Sequence, residues 1–395
     1  MNGLKSVRDS FVASHIASLP KSGIREFFDI VNTMDDVISL GVGEPDFTTP
    51  WNIREAGTFS LEQGHTAYTS NLGMLSLRKE ICKYVNNHYH VGYNYNNECI
   101  VTIGVSEALD IAMRALLDPG DEVIYTTPCF VSYPAEITMA HGVPVPVPTY
   151  EKDAFALTPE TLKSVITPRS KVLLLNFPCN PTGAVMGLEN LKVVAEIAKE
   201  NDLVVITDEI YSELIYDNWE HHSIAALDGM RERTIFLHGF SKAFAMTGWR
   251  VGYACGPAEI IDAMMKIHQY GIMSANTTSQ EAALEALRNG YSSMLKIRES
   301  YRERRNVMVR MLNDMGLKCI MPQGAFYAFP NIQSTGLDSK TFARRLLEQQ
   351  HVAVVPGIAF GECGEGYIRC CYATGIQDII EAMNRMKKFV DSLKK

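Results

Sequence analysis

No run in this chain approaches the roughly 18 apolar residues needed to cross a bilayer. No pair among its nine cysteines has the CxxC spacing of a zinc or redox site, and neither a basic stripe nor an internal repeat is visible. Each absence removes a class of protein. Without a span, no membrane partner is expected. With 37 Lys and Arg against 45 Asp and Glu, for a net charge of −8, a nucleic-acid backbone or anionic surface is a poor main partner. Cysteines without metal spacing read as reduced thiols. The stretch MNGLKSVRDSFVASHIASL scatters its charge and has no apolar run of signal-peptide length, so a cytoplasmic location is expected.

What remains is the balance of an ordinary globular enzyme-sized protein: 395 residues, 46% hydrophobic and 21% charged. Short apolar runs bounded by turn residues, DEVIYTTP, KVLLLNFP, DLVVITDE, TIFLHGFSK and GWRVGYACG, read as buried strands. Between them, Ser106 to Leu117 and Leu188 to Glu200 carry apolar residues at helical spacing. Alternating strands and helices predict an α/β fold, a sheet covered on both faces over residues 43–289. A long charged helix, Tyr291 to Asp314, follows; its Arg302-Glu303-Arg304-Arg305 run reads as a solvated face. Beyond it, GAFYAFP and VAVVPG read as strands, and Ile376 to Leu393 as an amphipathic helix. Residues 290–395, with 1–42, are expected to form a smaller α+β domain.

Four stretches carry chemistry. Gly239-Phe240-Ser241-Lys242 places a lysine just past an apolar strand, with Arg250 eight residues on. Ligands of α/β sheets bind beyond the carboxyl ends of strands, and a desolvated lysine there loses proton affinity and becomes a nucleophile able to form an imine. A lone Ser-Lys pair would be an ordinary surface feature; its neighbours change that. Asp208-Glu209-Ile210-Tyr211 closes another strand, where a buried carboxylate can balance a protonated ring nitrogen and a tyrosine hydroxyl can bond a phenolic oxygen. Asn176 to Gly183 forms a tight loop in which Asn180 can point its amide at a ring oxygen or a carboxylate. Thr102 to Ala108 puts a glycine turn at the mouth of a helix whose free N–H groups suit a phosphate.

On these residues, and above all GFSKAFAMTGWRVG, the chain resembles the class I, fold-type-I pyridoxal-phosphate aminotransferases, in particular their bacterial and archaeal aspartate and aromatic branch. The resemblance runs from LGVGEPDF to GEGYIRCCYA. It implies a three-layer αβα large domain with a mixed, mostly parallel sheet, and pyridoxal 5'-phosphate held by Lys242 as a Schiff base. It further implies that Asp208 pairs with the ring nitrogen and that Tyr211 and Asn180 reach the phenolic oxygen. Ser241, Arg250 and the backbone at Val105 and Ser106 would hold the phosphate, and Phe130 would stack on the ring. Arg369 would clamp the substrate carboxylate near the Gly43 backbone. Tyr68 matches a tyrosine that reaches the phosphate of the neighbouring subunit, which implies a homodimer.

Three departures stand out. Gly239 occupies a position where many relatives carry serine, Phe130 replaces a tryptophan or tyrosine, and no second arginine matches the one some aspartate-specific relatives use. The expected reaction moves an α-amino group from an aromatic or aspartate-like donor to a 2-oxo acid such as 2-oxoglutarate. A carbon–sulfur β-lyase of the same fold is the alternative. A ligand-sensing regulator with an added DNA-binding domain is disfavoured, because the α/β core begins near residue 40.

Overall fold

The structure, a computed structural model, describes residues 11–19, 34 and 36–393. Its centre is a seven-stranded sheet built from β2 (Cys99–Thr102), β3 (Glu122–Thr127), β4 (Val143–Pro148), β5 (Ser170–Leu175), β6 (Val204–Asp208), β7 (Thr234–Gly239) and β8 (Gly252–Cys255), after a short β1 (Ile38–Ser39) that lies elsewhere. The spatial order is β2-β8-β7-β6-β5-β3-β4. Only β8 runs against its neighbours, so the sheet is mixed and mostly parallel, as expected.

Alternation along each strand sorts the core into two faces. Val123, Val172, Ile206, Ile235 and Ala254 face the helices Gly104–Leu116 and Ala258–Gly271. Ile124, Leu173 and Val205 face the helix Leu188–Glu200, while Phe236, Tyr253 and Val101 meet the helices Leu75–Tyr89 and Thr277–Asn289. Burial on both faces is why β3, β5 and β7 read as nearly continuous apolar runs. The sequence reading did not single out β4. Its three prolines lack the N–H a central strand needs, and the structure places it at the edge of the sheet, where that lack is tolerated.

A further apolar cluster joins Leu40 to the C-terminal part of the chain, including Leu312, Phe342, Ile368 and Phe389. There β1 pairs in parallel with β10 (Val352–Ala353), and β9 (Tyr327–Ala328) and β11 (Val355–Pro356) flank β12 (Ile368–Cys371).

One expectation needs correction. The charged run on the helix Tyr291–Asp314 is solvated only at Arg302 and Glu303; Arg305 is buried, donating to the Pro322 carbonyl at 2.9 Å and to Asp217 at 2.5 Å. Arg304 donates to Asp46 at 2.8 Å. Arg305 shares a helical face with Tyr301 and Met308, and helical position outweighs local charge density.

Candidate active site

One edge of the sheet gathers most of the predicted residues. The strands β2, β3, β5, β6 and β7 end there, and β8 begins there, so the segments after Thr102, Thr127, Leu175, Asp208 and Gly239, and the one before Gly252, all open onto the same space. That space is a cavity of about 560 Å³. Gly43, Val105, Ser106, Phe130, Asn180, Asp208, Tyr211, Ser241, Lys242, Arg250 and Arg369 all line it. Tyr68 does not; it is 81% exposed.

At the floor, the Lys242 amine donates to the Gly43 carbonyl at 2.6 Å. Burial strips it of water and brings its pKa down to about 8, with the Arg369 and Arg250 charges adding to the effect. A lysine so placed is a usable nucleophile near neutral pH. Asp208, 5% exposed, is affected by burial in the opposite sense, its carboxyl pushed up to about 6. Its Oδ2 accepts from the Tyr133 hydroxyl at 2.8 Å and its Oδ1 from the Ile210 amide at 3.2 Å, and both bonds favour the ionised form.

Arg369 is 4% exposed and lies over the rings of Tyr327 and Phe360. It donates Nη1 to Asn180 Oδ1 at 2.8 Å and Nη2 to the Gly41 carbonyl at 2.6 Å, which fixes its plane. Its Nε has no hydrogen-bond partner among the described residues. A buried guanidinium held flat in a cavity wall is prepared for a carboxylate. The Asn180 oxygen is occupied, so its two amide hydrogens remain for a ligand. The hydroxyls of Tyr211 and Tyr327 share a 2.8 Å hydrogen bond.

The other end of the cavity is built on the helix Gly104–Leu116, whose first N–H groups receive no side-chain cap and could hold a phosphate. Its start rests directly on β8: a Cβ at Gly252 would come within 2.8 Å of the Gly104 and Val105 backbone. Gly239 lies in the same crowded corner, between Gly252 and Val105, so Ser241 supplies the hydroxyl on this side. Arg250 stands at the lip with its guanidinium over Gly104. Backbone donors, a hydroxyl and a fixed cation at one end, a nucleophilic amine in the middle and a buried acid beyond it fit pyridoxal 5'-phosphate.

Sequence reasoning passed over Tyr133, Glu136, Asn176 and Tyr327. Asn176 donates to the Asp208 carbonyl at 2.9 Å and accepts from the Asn180 amide at 3.2 Å, locking the two loops together. Glu136 lines the cavity nearly buried, with Oε2 unpartnered among the described residues and burial pushing its carboxyl up to about 8. Tyr133 and Glu136 lie three residues apart on one helical face. That spacing was the available signal, once Phe130 had drawn attention to the stretch.

Comparison with known proteins identifies the family. The family described as aminotransferase class I and II matches residues 35–385. The Bacillus subtilis (strain 168) protein YugH, itself assigned to the aminotransferases only provisionally, is 53% identical over 381 residues, covering 96% of this chain and 98% of that one. The aspartate aminotransferase of Pyrococcus abyssi (strain GE5 / Orsay) is 46% identical over 369 residues, 93% of this chain and 95% of the relative. The crystal structure of the aromatic aminotransferase from Pyrococcus horikoshii OT3 superposes with a TM-score of 0.90 at 43% identity, covering 94% and 99% of the two chains. The chain belongs to the class I and II aminotransferases, enzymes of fold type I that depend on pyridoxal 5'-phosphate.

Proposed function

We propose that this enzyme moves the α-amino group of an aromatic amino acid to a 2-oxo acid, with 2-oxoglutarate as acceptor, and that Lys242 is the residue that binds the cofactor covalently. The observation that carries the reading is the convergence, on one cavity, of the Lys242 amine, the buried Asp208 carboxyl and the Arg369 guanidinium. Bound pyridoxal 5'-phosphate supplies a sink for the electrons released at the substrate's Cα. The chain does the rest. Arg369 holds the α-carboxylate, Asp208 keeps a proton on the ring nitrogen, and Tyr211 and Asn180 donate to the phenolic oxygen. The Lys242 amine carries the proton that leaves Cα. Ser241, Arg250 and the amides of Val105 and Ser106 anchor the phosphate.

Aromatic donors are favoured over aspartate because, among the described residues, the cavity wall holds two arginines, Arg250 at the phosphate end and Arg369 at the carboxylate. Neither is left for a distal carboxylate, while Phe130, Tyr211, Tyr327 and Leu109 offer apolar surface. Relatives with names for both aspartate and aromatic substrates are similar to this chain. The test is a panel of amino acids mixed with the yellow enzyme, following loss of the cofactor band before 2-oxoglutarate is added. Phenylalanine and tyrosine should bleach it faster than aspartate; the reverse order would overturn the substrate assignment. Release of ammonia and pyruvate in place of amino transfer would favour a β-lyase.

The enzyme is further proposed to act as a homodimer in which Tyr68 completes the partner's phosphate site. In support, the segment around Tyr68 is tied to residues 273–280 by Asn71 donating to the Met273 carbonyl, Thr277 to the Ala67 carbonyl and Gln280 to Thr69. Tyr68 and Met273 in these segments, and Tyr270 and Ile272 just before the second, are exposed. Sedimentation at a single-chain mass would contradict the dimer. The same reading takes 43–289 as the cofactor domain and 290–395 with 1–42 as the smaller one, supported by the pairing of Ile38–Ser39 with Val352–Ala353. Much of 1–42 lies outside the described residues.

A further inference from the structure

Away from the cavity, three cysteines from separate elements converge: Cys82 on the helix Leu75–Tyr89, Cys99 on β2 and Cys255 on β8. Their sulfurs all lie within 4.8 Å of one another, and all three residues are buried. We propose that this trio is a binding site for a soft, thiophilic metal ion of the copper(I) class.

Buried thiols usually serve as small apolar side chains, and eight of the nine cysteines here are buried. The trio differs in its geometry. Cys99 and Cys255 are directly opposed on antiparallel strands. The neighbouring pair is joined by the Gly256 amide donating to the Glu98 carbonyl at 3.1 Å, so Cys99–Cys255 falls at the alternate, non-hydrogen-bonded position, where facing side chains approach most closely. The helix lays Cys82 over that pair. A triangle of sulfurs at the outer limit of that spacing would have its centre ~2.8 Å from each, against about 2.3 Å for a typical metal–thiolate bond, so a contraction of about half an ångström closes the site.

Ligand type and number select the ion. Among the described residues no His, Cys, Asp or Glu joins the group as a fourth ligand. Zinc in a structural site takes four, whereas a soft monovalent ion is satisfied by two or three thiolates. Copper(I) would bond two thiolates and the remaining thiol, displacing two protons to solvent with no change of oxidation state. Arg78, buried one helical turn before Cys82, carries the positive charge that balances the residue left behind. No oxidant or co-reactant is needed.

The test uses the reduced holoenzyme, titrated with copper(I) in competition with bicinchoninate. About one equivalent per chain should resist the chelator, with new ultraviolet sulfur-to-copper absorption and a raised melting temperature. Cys82→Ser should abolish the retained copper, whereas Cys363→Ser, which removes the most exposed thiol, should not. Should serine disturb the core, Cys82→Ala and X-ray absorption on the copper-loaded wild type give the same decision. Sulfur-only coordination near the expected bond length supports the site. Full transfer of copper to the chelator, retention by both Cys82 variants, or a nitrogen and oxygen shell overturns it.

Discussion

The hydroxyl of Tyr133 is donated to Asp208 across 2.8 Å, so a residue on the helix after β3 sets the state of the acid at the end of β6. Burial pushes that acid up to about 6 and the Tyr133 bond is the first influence to oppose it. Tyr133→Phe keeps the ring and deletes the bond. A hydrogen bond to a charged group contributes about 1.5–3 kcal/mol, so cofactor affinity at neutral pH should fall roughly 10- to 100-fold. Cofactor titration by absorbance, repeated across pH, should show the acid limb of the affinity profile moved to higher pH; an unchanged profile would remove Tyr133 from this role.

Asp208→Asn retains size and loses the charge. The enzyme should still bind cofactor and be trapped by borohydride at Lys242, but turnover should fall on the order of 100-fold or more, the scale of a lost electrostatic partner of the reacting centre. Peptide mapping after reduction checks the first part and steady-state rates the second.

Lys242 gives a pH signature. Its amine is brought from the ordinary 10.5 to about 8, so the neutral, reactive form grows as pH rises through 8. Capture of pyridoxal 5'-phosphate by cofactor-free enzyme should accelerate about tenfold per pH unit below that point and level off above it. The linkage has a definite sign. The unfolded chain takes up this proton first as pH falls from 10.5, so the stability conferred by the neutral amine is present above that value and lost as pH falls through about 8.

Arg369→Lys exchanges a planar fork for a point charge. The amino-acid KM should rise, with kcat/KM down about 100-fold, equivalent to about 2.7 kcal/mol of binding. Amines without an α-carboxylate should react equally poorly with both forms, which stopped-flow bleaching of the cofactor band can check.

Gly43→Ala tests the other wall. Its Cβ would fall 2.5 Å from the Tyr327 hydroxyl, which is bonded to Tyr211. The Tyr211–Tyr327 pair must move, and turnover should drop at least about tenfold with little loss of melting temperature, as expected of a local displacement at a reacting centre. A normal rate would show that the pair tolerates the shift.

How much of this was legible beforehand depends on where each residue lies relative to a strand end. Asp208 ends an apolar strand, Lys242 lies three residues past one and Asn180 five past another, so the ends of apolar runs mark both the strands and the neighbourhood of the site. Helices behaved similarly: Leu188–Glu200 and Tyr291–Asp314 have their expected limits. The start at Gly104 rather than Ser106 reflects a glycine turn already inside the helix. Tyr133, Asn176 and Tyr327 escaped notice because their partners lie 75, 32 and 116 residues away in sequence. Such pairings belong to the tertiary fold, and no local pattern encodes them. Arg305 was misread for a related reason, since its partner Asp217 stands 88 residues upstream.

The bond from Arg369 to the Gly41 carbonyl spans 328 positions of the chain. A ribosome therefore releases almost everything before the Arg369 side of the cavity can close. Earlier in synthesis, the strand-end lysine and the glycine-mouthed helix already exist, yet the wall proposed to hold a substrate does not. Completion of the proposed substrate wall thus becomes a late event in the life of each molecule, and a chain cut short before Arg369 would lack it.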